Sequence, residues 1–167
     1  MTTSTFLQIK EILDRNKVEY THLTHEHVHR SEDAAKIRGT NLDEAAKAIV
    51  LKVEKRDPEK GKYYDFIQVV IGGDQRIDLK KLRVIFNSKN VALASPDEVL
   101  EKTGCTIGSV PPFGILFNIP VYMDNGLLNK DRIVFSAGTH TDSIIMRPLD
   151  YIKIVNPEVV DVKIKNY

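Results

Sequence analysis

Lys47 stands where a short polar turn gives way to an apolar run, in AAKAIVLK. A lysine at the edge of a buried strand is partly desolvated, and its ammonium makes a strong point contact for a phosphate or carbonyl oxygen. A lysine that covers apolar surface with its stem and keeps its head in water leaves the same trace in a sequence. The second group is GCTIGSVPPFG, residues 104–114, which holds three glycines, two adjacent prolines and no charged side chain. Glycine lets backbone N–H groups approach a ligand without a Cβ in the way, and proline stiffens the chain and removes competing donors. Such a loop can present fixed amides to a carbonyl or a developing oxyanion. A tight structural crossing between a helix and a strand has the same composition.

Other constellations compete with these. Cys105 and His140 could pair as nucleophile and base, although a lone cysteine also serves as a small core residue. His25, His27 and His29 alternate, so on a strand all three would project from one face and could take a metal. No cysteine accompanies them and Glu26 would point the other way, so no metal is expected. GGDQ at residues 72–75 lacks the lysine and hydroxyl residue that a phosphate loop needs.

The elements that must position these residues follow from periodicity. TFLQIKEILDR places Phe6, Ile9, Ile12 and Leu13 on one helical face, with Thr5 and Gln8 as a possible capping box. VEYTHL alternates as a strand, and THEHVHR is a polar connection. SEDAAKIRG reads as a helix with Ser31 as N-cap and Gly39 as its stop. NLDEAAKAIVLKVE starts as a helical turn and becomes a strand near Ala48. RDPEKGK is a turn, and YYDFIQVVIGG is the hairpin partner. DLKKLRVIF is a helix capped by Asp78. SPDEVLEKTG is another, with Ser95 as cap, Pro96 at its first position and Glu98 completing the box. After the glycine loop come short apolar segments, ILFNI, VYMD, RIVFSAG and SIIMRP, then a helix in LDYIKIV and a last strand in VVDVKI. The pattern is α/β, expected as one mixed domain over residues 1–167 with strands joined partly as hairpins.

Composition bounds the chemistry. With 167 residues and 42% hydrophobic content, the chain can bury a core without staples. Its single cysteine excludes an internal disulfide and fits a reducing cytoplasm. The start of the chain lacks the apolar stretch of a signal peptide, and no run reaches the roughly 18 apolar residues of a membrane span. Lys and Arg total 24 against 23 Asp and Glu, a formal charge of +1. A protein gripping long nucleic acid carries a clear basic excess, so no DNA partner is expected and any RNA contact is confined to one end of a strand. LKVEKRDPEKGK and DLKKLR lean basic, as a solvated face also would.

SEDAAKIRGTNLDEAAKAIVLK, GGDQRIDLKKL, TGCTIGSVPPFG, VFSAG and PLDYIKIVNPEVVDV occur in that order. Together they resemble the YbaK/ProX family of aminoacyl-tRNA editing proteins, free-standing relatives of the insertion domain of bacterial prolyl-tRNA synthetase. The likeness spans residues 5–163. Its most specific parts are the lysine before the apolar strand and the TGxxxGxxxPxG loop, here Thr103, Gly104, Gly108, Pro112 and Gly114. The resemblance implies a YbaK-like fold, a curved, mostly antiparallel or mixed, barrel-like sheet with surrounding helices. It implies metal-independent hydrolysis of the ester joining a wrong amino acid to tRNA, without a cofactor. Lys47 takes the place of the family's essential lysine and Gly108 that of the glycine at the scissile carbonyl. His25, Ser31, Gly104, Pro112, Gly114, Ser136, Gly138 and Asp142 are the expected substrate-binding positions. The expected partner is the acceptor end of an aminoacyl-tRNA, with prolyl-tRNA synthetase as a candidate second partner.

The departures concern specificity. The family member acting on cysteinyl-tRNA has tyrosine near the position of His25. Relatives acting on alanyl-tRNA carry asparagine after the lysine, here Ala48, and His-Pro near the late strand, here SAGTH. A small amino acid is expected, with alanine alone disfavoured. An aminoacyl ester is already activated, so orientation, an oxyanion hole and water suffice. In that scheme amides near Gly108 hold the carbonyl oxygen, Lys47 anchors the terminal phosphate or nearby oxygens, and the free ribose hydroxyl positions the water. A non-catalytic tRNA- or synthetase-binding module, a metal hydrolase using the histidines and a Cys105 thiol enzyme stand as alternatives.

Overall fold

Two long strands organise the molecule. β2 (Ala46–Asp57) and β3 (Gly61–Gly72) pair antiparallel along their whole length, from Ala46 opposite Gly72 to Asp57 opposite Gly61. The Asp57 carboxylate accepts from the Glu59 and Lys60 N–H groups and so shapes the intervening turn. Along β2 the side chains alternate between two cores. Ile49, Leu51 and Val53 pack with Val69, Ile71 and Leu82; Ala48 and Val50 pack with Cys105 and Val110 on the other side. Both faces are covered, which is why this stretch reads as a nearly continuous apolar run.

The computed structural model describes residues 4–27 and 31–165. β4 (Val91–Leu93), β5 (Val121–Asp124) and β8 (Glu158–Val160) extend the hairpin to a five-stranded sheet of order β4-β2-β3-β5-β8. Its β3–β5 and β5–β8 junctions are parallel. β1 (Tyr20–Thr24), β6 (Ile133–Ser136) and β7 (Asp142–Met146) form an antiparallel sheet of order β1-β7-β6. The mixed α/β character matches the expectation, but the sheet does not close. Ala45 and Val134 make one isolated parallel bridge between the sheets, and the hydrogen-bond ladder goes no further, so the arrangement is two open sheets rather than a barrel.

Five α-helices occur among the described residues: α1 (Thr5–Arg15), α2 (Ser31–Arg38), α3 (Leu79–Phe86), α4 (Pro96–Thr103) and α5 (Pro148–Val155). Local chemistry sets their ends. Asp78 caps α3 through the Lys80 N–H, and Ser95 and Glu98 close the reciprocal box on α4 behind Pro96. On α1 the cap is Ser4, which accepts from the Leu7 N–H, rather than Thr5 with Gln8. Ile9 and Leu13 of α1 are fully buried against Phe113, Phe135, Ile144 and Tyr151, each worth roughly 1.5–3 kcal/mol of burial.

Three further expectations shift. β2 starts at Ala46 rather than Ala48. ILFNI contributes to a 3-10 turn, Gly114–Phe117, instead of an extended segment. The last strand covers residues 158–160, and Lys163 adds a single antiparallel bridge to Ile77. No helix among the described residues is long and apolar enough to cross a membrane.

Candidate active site

The glycine loop divides into a buried half and an exposed half. In the buried half the Gln68 side chain, itself fully buried, donates to the Pro111 carbonyl at 2.9 Å and accepts from the Gly114 N–H at 3.0 Å. The Tyr151 hydroxyl donates to the Pro112 carbonyl at 2.6 Å, and burial pushes its pKa far up, so it stays a donor. Gly114 has no room for a side chain: a Cβ there would lie 2.7 Å from Cγ2 of Val121. Pro112 and Gly114 are therefore placed as frame for the turn. Gly104 likewise closes α4 in a left-handed conformation, its N–H donating to Leu100 O.

The exposed half presents Gly108, at φ +88°, a conformation that favours glycine. The Ser109 N–H donates to Thr106 O and the Gly138 N–H to Ser109 O, which fixes the turn. The Ile107 and Gly108 N–H groups donate to no acceptor among the described residues. The Ser136 hydroxyl donates to the Gly108 carbonyl at 3.1 Å, so Ser136, Gly138 and Gly108 are brought together.

Lys47 stands near the start of β2, two residues beyond the single Ala45–Val134 bridge that joins the sheets, and its hydrogen-bond partner lies in the segment after β3 rather than in the Gly108 turn. Lys47 is half-buried. Its Nζ donates to the Gln75 carbonyl at 2.6 Å, which uses one of three donor positions. Burial pushes its pKa down, nearby Asp74 pulls against that, and Arg76 adds to it.

The cation tied to the Gly108 turn is one that the sequence did not announce. Arg38, at the end of α2, donates from Nε to the Ser143 hydroxyl at 2.7 Å and from Nη2 to the Ser136 hydroxyl at 3.1 Å. Ser143 also meets His25 Nε2 at 2.7 Å, and His25 Nδ1 lies 2.8 Å from the Glu26 carbonyl. A carbonyl can only accept, so Nδ1 carries the proton and Nε2 accepts from the Ser143 hydroxyl. The result is one continuous chain: Gly108 carbonyl, Ser136, Arg38, Ser143, His25. Burial pushes the Arg38 pKa down to about 10. In the sequence Arg38 looks like an ordinary basic residue at a helix end. The missed signal was spacing: it follows the buried Ala34 and Ala35 by four and three residues, and so falls on the packed face.

The remaining positions lie around this chain. Asp142 accepts from Thr139 and meets His22 Nε2 at 2.7 Å. Burial alone would raise its pKa, but those two hydrogen bonds overcome that and hold it below the usual carboxylate value. The side chain of Ser31, and all of His29, lie outside the described residues. His25 and His27 lie beyond β1, which ends at Thr24, so these two do not share a strand; His27 stacks near His140 with ring centroids 4.6 Å apart. Among the described residues no group of three His, Cys, Asp or Glu could hold a metal ion. Cys105 and His140 do not meet as a pair. The buried Cys105 thiol donates weakly to Thr5 at 3.8 Å, and burial pushes its pKa up, whereas His140 Nε2 meets Thr106 Oγ1 at 2.8 Å.

Exposed loop amides linked through Ser136 to a half-buried guanidinium suit the hydrolysis of an already activated ester. The class defined by this fold and site is that of the editing domains. The profile described as "Aminoacyl-tRNA editing domain" matches residues 25–154, and the chain belongs to that family. It is 34% identical over 151 residues to the multifunctional Ser/Thr-tRNA deacylase ProXp-y of Escherichia coli K12, covering 90% of this chain and 87% of the relative. It is 30% identical to the prolyl-tRNA editing protein ProX of Acetoanaerobium sticklandii, covering 86% and 85%. A crystal structure assigned as a candidate trans-editing enzyme for prolyl-tRNA synthetase superposes with a TM-score of 0.77 at 24% identity, covering 99% of this chain and 100% of that one.

Proposed function

We propose that this protein hydrolyses the ester of mischarged aminoacyl-tRNA in trans, releasing a small amino acid from the acceptor end. The observation that carries this reading is the exposed Gly108 turn beside Ser136, whose Ile107 and Gly108 amides donate to no acceptor among the described residues. Water attacks the ester carbonyl carbon while the Ile107 and Gly108 amides receive the developing oxyanion. The bond to the ribose oxygen then breaks, that oxygen takes a proton, and the free amino acid and the tRNA leave. Lys47 holds oxygens of the terminal nucleotide with its two remaining donors, and the neighbouring ribose hydroxyl positions the water. Ser136 fixes the loop, and His25 ends the hydrogen-bonded chain that runs from it through Arg38 and Ser143, with Asp142 next to Ser143 on β7.

The relative at 34% identity is named for serine and threonine, so seryl- and threonyl-tRNA are the first substrates to test, with alanyl- and cysteinyl-tRNA beside them. A pocket discriminates one methylene by only about 10- to 200-fold, so tRNA features and a synthetase such as prolyl-tRNA synthetase supply further selectivity. The place of action is the cytoplasm, where tRNA is charged.

The test is deacylation of that panel in the presence of chelator. Lys47→Ala is expected to lower the rate by about 100- to 1000-fold, the scale of losing one preorganised electrostatic contact, with an unchanged melting curve. A folded Lys47→Ala protein working at the wild-type rate would remove Lys47 from the mechanism. Tight tRNA binding without release of any amino acid would mark a binding module instead.

A further inference from the structure

Arg38 is a half-buried guanidinium whose described partners are neutral. Its Nε and Nη2 atoms donate to the hydroxyls of Ser143 and Ser136, and among the described residues no carboxylate lies within ion-pair distance. The nearest acid along the chain from these partners, Asp142, has its oxygens on His22 and Thr139. The C-terminal end of α2 supplies only partial negative charge. A guanidinium has five N–H donors in a planar fork, and these two bonds leave three unused. Burying such a charge is costly unless an anion completes the site. The arginine sits directly beside the Gly108 turn, because Ser136 joins the two.

We propose that Arg38 binds a phosphodiester oxygen of the 3′-terminal nucleotides of RNA. The proposal rests on the deacylase reading for its choice of RNA. Two cations from separate elements, Lys47 of β2 and Arg38 of α2, then share the end of the RNA strand. One grips the terminal nucleoside and the other the phosphate that precedes it, which sets the ester over the loop amides.

The probes are an uncharged CCA trinucleotide and inorganic phosphate, titrated against the full chain. Wild-type protein is expected to bind the trinucleotide, and Arg38→Gln to weaken binding by about 10- to 100-fold, the scale of one hydrogen bond to a charged group. Arg38→Lys should recover part of the loss. The slope of log affinity against log salt should flatten by about 0.7, the value for one phosphate contact on a single strand. In deacylation the Arg38→Gln loss should fall mainly on KM. Inorganic phosphate binding as tightly as the trinucleotide would identify a free-phosphate site and overturn the proposal. A loss confined to kcat and reproduced by Ser136→Ala would overturn it too, since Arg38 would then act only through the loop. If Arg38→Gln does not fold, the lysine variant and the wild-type salt series decide, and salt-independent trinucleotide binding counts against the proposal. The two readings fail separately. Arg38-dependent trinucleotide binding without any deacylation leaves this site standing and removes the activity. Deacylation whose KM ignores Arg38 does the reverse.

Discussion

At the scale of single residues, the site separates groups that can meet a substrate from groups that hold the frame. Cys105 belongs to the frame. Its thiol is buried among Val50, Ala94, Val99 and Val110, and burial raises its pKa, so the thiolate needed for nucleophilic attack is scarce at neutral pH. Its sulfur faces Thr5 rather than a histidine. Cys105→Ala is therefore expected to deacylate within about twofold of wild type and to lose no more than about 1–2 kcal/mol of stability. Initial rates and melting curves check this; a folded Cys105→Ala protein without activity would bring thiol chemistry back. Lys47 and Arg38 make the opposite case. Each is a cation held partly out of water by hydrogen bonds to neutral oxygens, and neither uses all its donors on partners among the described residues.

At the scale of elements, the glycine loop is anchored by two side chains distant in sequence. Gln68 of β3 satisfies Pro111 and Gly114 at once, and Tyr151 of α5 satisfies Pro112. Gln68→Leu keeps the volume and removes both bonds, leaving a buried carbonyl and a buried amide unpaired at about 1–3 kcal/mol each. At about 2–4 °C per kcal/mol for a chain of this size, the thermal midpoint should fall by roughly 5–20 °C, and an unchanged midpoint would show that the loop holds itself. Elements with local causes were legible in the sequence: the Ser95, Pro96 and Glu98 start of α4, the Asp78 cap of α3, the β2–β3 hairpin and the family loop. What escaped depends on contacts between distant segments. Nothing near Gln68 announces that its amide will clamp a turn more than forty residues away, and nothing near Val134 announces its bridge to Ala45. The expected barrel failed for the same reason, since strand closure is a long-range property that periodicity does not encode. Arg38 was hidden because a helix-end arginine is ordinary until its partners are known.

At the scale of the whole molecule, the placement of β6 beside β2 depends on how the two sheets meet. They share the Ala45–Val134 bridge, and ion pairs flank it. Arg132 donates to both oxygens of Glu44, at 2.8 and 3.3 Å, and Lys130 meets Asp43 at 2.9 Å. These contacts hold the start of β2 against β6, the strand that ends in Ser136. The Arg132 hydrogen bonds, with that of the Asn41 N–H, outweigh partial burial and hold the Glu44 pKa below its usual 4.5. A carboxylate with a depressed folded-state pKa adds stability above its unfolded value, and that stability disappears as pH falls through the folded value. The joint should thus be intact at neutral pH and weaken below about pH 4.5. Both partners retain some exposure, so the pair is worth no more than about 1 kcal/mol, or about 2–4 °C in midpoint. Glu44→Gln is expected to melt lower than wild type by that amount at pH 7 and to converge with it as pH falls through the depressed folded-state value of Glu44. Because the joint holds β6 and its Ser136 against the start of β2, the same variant should also deacylate more slowly at pH 7. A Glu44→Gln deficit that persists undiminished in acid would show that the charge of Glu44 does not hold the sheets in register.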